Sequence, residues 1–80
     1  MNTATVHGPV VIGVDPIAGG VTAHHRDFPE IRARGRDPVD AATQLARQLM
    51  RALDTALTAW RRDTIQGAIT DVERFAAAQS

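Results

Sequence analysis

The chain contains no cysteine, no lysine and no tyrosine, and its aromatic rings are Phe28, Trp60 and Phe75 alone, apart from the histidines. Without cysteine it has no disulfide framework, no thiolate metal site and no thiol redox chemistry. No apolar run is long enough to cross a bilayer, and no basic segment followed by a long apolar stretch opens the chain. Neither a membrane span nor a secretory leader is therefore expected, and the expected location is the cytoplasm. An excess of one charge is also lacking. Nine arginines balance nine Asp and Glu residues, which argues against a general nucleic-acid binder held by net positive charge. The exclusive use of Arg is what GC-rich bacterial coding produces, and selection for planar bidentate contacts is the alternative. At 80 residues the chain is expected to form one domain, near the size at which a single apolar core barely offsets the entropy of ordering. Oligomerisation is the remaining source of extra stability.

What is present reads first as strands. Met1 to Thr5 is small and polar and is expected to fray. Val10, Val11, Ile12 and Val14 form a β-branched run, and Asp15-Pro16-Ile17-Ala18-Gly19-Gly20 then favours a turn. The paired glycines lack the spacing and following helix of a phosphate loop. In a second strand, Val21 to Arg26, the period of two puts Val21, Ala23 and His25 on one face and Thr22, His24 and Arg26 on the other. Asp27-Phe28-Pro29-Glu30 interrupts it, since proline cannot donate to a ladder. A third strand begins at Ile31 and ends at Arg34 or Arg36, with Ile31 and Ala33 opposed to Arg32 and Arg34.

A helix is expected to follow Gly35-Arg36. Asp37 can cap it, Pro38 suits its first position and Asp40 places negative charge in its first turn. Leu45, Leu49, Ala52, Leu53, Ala56, Leu57 and Trp60 share one arc. Beyond Trp60 the apolar set is Ile65, Ala68, Ile69, Val72, Phe75 and Ala76, and at about 100° per residue its centre is rotated from the first stripe. Either the helix breaks near Arg61 to Thr64, with Asp63 recapping and Gln66 reaching back, or one long helix presents a second face. The expected fold class is α+β: a three-stranded antiparallel sheet followed by one long or broken C-terminal amphipathic helix.

One helix over such a sheet leaves the rotated stripe without an obvious intrachain surface. A second copy of the chain is the expected cover, in a homodimer or higher homo-oligomer, and a helix folded back on the sheet is the alternative. Trp60, Ile65, Ile69, Val72 and Phe75 are therefore the candidate interface residues. Trp60 fits an interface anchor or plain core equally well.

From Asp27-Phe28-Pro29-Glu30 through Ile31-Arg32-Ala33-Arg34-Gly35-Arg36-Asp37-Pro38-Val39-Asp40-Ala41-Ala42 the chain resembles the HicB-like antitoxin family, in which a strand, a proline corner, a short strand ending in Gly and an acidic-started helix with paired alanines follow one another. With the upstream hairpin the resemblance covers about residues 9–57. It implies a single HicB-like βββα domain over residues 1–80, a partial ribonuclease-H-like core without catalytic carboxylates, a tendency to dimerise, and a small toxin-like protein as partner. No helix-turn-helix or ribbon-helix-helix pattern follows the long helix, so operator binding is not expected from this chain.

Residues that could carry chemistry each have a plainer use. His24 and His25, with His7, suggest a metal, but successive strand residues point to opposite faces, and no metal site is expected. Asp15, Asp27, Glu30 and Asp37 could form a two-metal carboxylate cluster, yet each sits in a turn, a corner or a cap. Ser80 is terminal and no His-activated nucleophile is placed, so neither catalysis nor a cofactor is expected. Arg26, Arg32, Arg34 and Arg36 form a candidate basic strip for RNA phosphates or an acidic partner. With Asp27, Glu30 and Asp37 interleaved, a solvated, salt-linked sheet face is the plainer reading, and nucleic acid is not the expected ligand.

Overall fold

A computed structural model describes residues 5–79, and side chains from Gly8 onward. Met1 to Ala4, at the expected frayed end, and Ser80 lie outside the described residues. The fold is α+β. A short strand β1 (Thr5–His7) precedes β2 (Val10–Val14), β3 (Val21–His25) and β4 (Phe28–Gly35), and these form one antiparallel sheet in the order β1-β2-β3-β4. Two helices follow, α1 (Pro38–Asp54) and α2 (Ala59–Gln79). The three expected strands are present, and β1 is an addition: Gly8 at φ 63° opens a two-residue reversal to β2 that a residue with a Cβ makes only with strain.

Asp15 organises the β2–β3 loop by accepting the N–H groups of Ile17 and Ala18, each at 2.9 Å. Between β3 and β4 the register runs Ala23↔Ala33 and His24↔Arg32, then shifts to His25↔Phe28. Pro29 does not interrupt the chain's extended course as expected. It lies inside β4 in the unpaired stretch Pro29–Ile31, where its missing N–H costs no ladder bond because β4 is an edge strand. Arg32 Nε donates to the Pro29 carbonyl across that stretch at 3.0 Å.

α1 starts where its caps require. The Asp37 side chain accepts the N–H of Asp40 at 2.7 Å, and Asp40 accepts the N–H of Arg36 at 2.9 Å. Gly35 is needed for a different reason: a Cβ there would run into the backbone of Asp40 and Ala41, so the strand end and the helix start can abut only with glycine between them.

α1 lies over β4 and β3, while α2 packs along α1 and reaches β2. The core joins Val10, Ile12, Ala23, Phe28 and Ala33 of the sheet to Ala41, Leu45 and Leu49 of α1 and Ile65, Ile69, Val72 and Phe75 of α2. Two expectations change. The helix does break, but at Thr55–Thr58 rather than near Asp63. Thr55 Oγ1 donates to the Ala52 carbonyl at 3.1 Å as α1 ends, and Thr58 Oγ1 accepts the N–H of Arg61 at 3.1 Å as α2 begins. Ile65, Ile69, Val72 and Phe75, expected to face a partner, are instead buried within one chain, because the earlier break lets α2 fold back along α1. Leu57 and Trp60 leave the first stripe at that break and are 93% and 74% exposed.

Large-to-small changes should follow this division. Ile65→Ala is expected to cost about 2–5 kcal/mol in urea unfolding, Trp60→Ala no more than about 0.5 kcal/mol, and Asp37→Ala about 1 kcal/mol through the lost cap. Equal costs for Ile65→Ala and Trp60→Ala would contradict the burial described.

Candidate functional site

The helices cover one face of the sheet, and among the described residues no element covers the other. The alternation predicted from sequence holds: Ala23 and His25 point to the core, Thr22 and His24 away from it, and Ala33 is buried between exposed Arg32 and Arg34. Cross-strand register sets out two rows on the open face, Val11–His24–Arg32 and Gly13–Thr22–Arg34. Burial first, then the Arg32 guanidinium and then His25, hold the His24 imidazole below its ordinary 6.5, so it is neutral at pH 7 and the charge of the face comes from the arginines.

The four arginines of the candidate strip are not one unit. Arg32 and Arg34 share the open face. Arg26 lies in the β3–β4 turn at one end of the sheet, with Nε 3.8 Å from Asp27, and Arg36 lies beyond β4 at the other end, with Nε 3.6 Å from Asp40. Arg34 reaches Asp15 at 3.6 Å. The Ala18 and Ile17 N–H groups, and to a smaller extent Arg34, hold the Asp15 carboxyl below its usual value. These exposed pairs orient the guanidinium groups more than they stabilise the fold.

His25 has a separate role. Its side chain is buried, and its Nδ1 accepts the N–H of Asp27 at 3.1 Å, so in the neutral ring Nε2 carries the proton and donates to Asp71 Oδ2 at 2.9 Å. The pair ties the end of β3 to α2. It has the form of an Asp–His dyad, but the nitrogen that would activate a nucleophile is occupied by a backbone N–H. Sequence reading did not single out Asp71. The signal was there: Asp71 lies three residues after Ala68 and four before Phe75, both buried, so a carboxylate falls on the edge of the apolar stripe and needs an inward partner.

The four acidic candidates do not converge. Asp15 and Asp37 lie at the Val14–Val21–Gly35 end of the sheet and Asp27 at the His25–Phe28 end. Asp37 caps α1, and Glu30 lies 3.9 Å from Arg61, whose guanidinium rests 4.9 Å above the Phe28 ring. Among the described residues no group of three or more His, Asp or Glu side chains could hold a metal, and no helix is long and apolar enough to cross a membrane. His7 stands opposite Val10 in the register, and its side chain lies outside the described residues. No protein-family model, no curated protein and no solved structure matches the chain.

Two measurements test these assignments. Asp71→Ala should destabilise the fold by about 1–3 kcal/mol, since it leaves the buried His25 N–H without its acceptor; a neutral result would remove the clasp. At His24 the folded value lies below the unfolded one, so the unfolded chain takes up the proton first. Its contribution is complete above pH 6.5 and is lost as pH falls from there toward the lowered folded value. His24→Asn should therefore flatten the stability curve below pH 6.5, as followed by urea midpoints across pH.

Proposed function

We propose that the chain is a non-enzymatic, cytoplasmic protein-binding module of the HicB-like kind, which masks or tethers a partner through the open face of its sheet. The observation that carries this reading is the one-sided cover. Both helices lie on the Val10–Ala23–Ala33 side, and among the described residues no element lies over His24, Arg32 and Arg34. β4 is also an edge strand, so its outward backbone groups extend the same surface with main-chain donors and acceptors. The two arginines suit an acidic surface, and a small toxin-like partner would meet this face through its carboxylates rather than through basic residues. The scattered Asp15, Asp27, Glu30 and Asp37, each with a local structural use, support binding over catalysis.

RNA binding along Arg26, Arg32, Arg34 and Arg36 is the second reading. The same guanidinium groups favour it, but the described open face has no Phe or Trp on which bases could stack. Capture from a lysate of the source cell on immobilised wild-type protein and on Arg32→Glu/Arg34→Glu, each with and without nuclease, separates the two. A protein retained by the wild type, lost by the variant and indifferent to nuclease is the expected result. Retention that disappears with nuclease and falls steeply with salt would transfer the assignment to RNA. Retention unchanged by the double reversal would remove the open face from either function.

A further inference from the structure

The faces of α1 and α2 turned away from the sheet enclose a groove of about 350 Å³. Its floor is apolar and low: Ala42 and Val72 are fully buried and Ala46 is 8% exposed, so no long side chain holds a neighbouring helix off. Met50 stands on the α1 rim, 43% exposed, a flexible thioether at the edge of an apolar trough. The rims carry opposite charges. Arg47 lies on the α1 side and Glu73 on the α2 side of the same groove, both exposed, and neither belongs to an ion pair of the described residues.

We propose that this groove is a self-association surface, closed by the same groove of a second copy around a two-fold axis running parallel to the helices. The charges choose the occupant and the axis. A two-fold axis along the groove exchanges its walls, so α1 of one copy lies over α2 of the other, and Arg47 meets Glu73 twice. An axis across the groove would set α1 over α1 and bring Arg47 against Arg47. In the favoured arrangement each helix also runs antiparallel to the one it faces, as in an antiparallel four-helix bundle. The surface shares only Val72 with the one first expected for an oligomer: Ile65, Ile69 and Phe75 serve the core of the single chain, and Trp60 stands in the first turn of α2, away from the groove.

Sedimentation equilibrium across a micromolar-to-millimolar series tests the proposal with Arg47→Glu, Glu73→Arg, their equimolar mixture and Trp60→Ala. The wild type should form a dimer, and each single reversal should weaken it by about tenfold or more, since one substitution removes two ion pairs and creates two repulsions. The mixture should regain wild-type affinity. Arg47→Glu leaves a copy with two acidic rims and Glu73→Arg a copy with two basic rims, so their heterodimer again sets acid against base at both contacts. Trp60→Ala should leave the dimer unchanged. A wild type that stays monomeric throughout, a dimer indifferent to both reversals, a mixture that fails to recover, or association lost in Trp60→Ala would each overturn it. None of these variants touches Arg32 or Arg34, so failure here is separable from failure of the binding face.

Discussion

The structure depends on the burial of α2 against α1, which in turn depends on where the chain reverses. Helix α1 alone covers β3 and β4 and leaves Val10 and the end of β2 in need of cover. The reversal at Thr55–Thr58 brings Ile65, Ile69, Val72 and Phe75 to that side. Each fully buried aliphatic side chain contributes about 1.5–3 kcal/mol of transfer free energy, so this stripe matters greatly to a core of so few large residues. The His25–Asp71 hydrogen bond then fixes how α2 sits on the sheet, satisfying a ring that would otherwise be buried at a cost.

What could be read from sequence were features set by local chemistry. The alternation of Ala23 and His25 with Thr22 and His24, the turn at Asp15-Pro16 and the start of α1 at Asp37-Pro38 each depend on neighbours within a few residues. The apolar content of α2 was equally legible. What the stripe packs on was not, because Leu57 and Trp60 happen to continue the period of α1 past its end and so conceal the break. Thr58 as a cap was a weak signal, with neither a Glu at the third helical position nor an apolar residue at the fourth to complete the usual patterns. Pro29 misled for a related reason: proline excludes a central strand, and only topology reveals that β4 is an edge.

The candidate site was legible in part. Arg32 and Arg34 follow from period two, and their shared face with His24 follows from the β3–β4 register. Arg26 and Arg36 were grouped with them by sequence proximity, and the fold separates them to opposite ends of the sheet. The two HicB-like traits that concern backbone geometry, glycine at the end of β4 and paired alanines in the first turns of α1, have a common physical basis here. Gly35 must clear the α1 backbone at Asp40 and Ala41, and Ala41 and Ala42 are both fully buried, Ala42 on the side of α1 that faces α2. Such requirements fall on any strand that passes directly into a covering helix, which is why the resemblance supports an architecture more strongly than it supports a partner.

The two uncovered surfaces lie on opposite sides of the layers. The helices separate the groove from the sheet, so a second copy seated in the groove as proposed would leave both open faces, with their Arg32 and Arg34, directed outward. In the proposed dimer, two outward faces would bind a partner that itself carries repeated acidic sites as a linked pair, the second contact forming at the effective concentration set by the first. An exposed arginine pair that contributes little on its own would gain affinity in this way without a larger interface on either protomer. The helices of such a small chain would then serve two ends at once: they complete a core that one helix could not, and they hold two sheet faces apart at a fixed spacing.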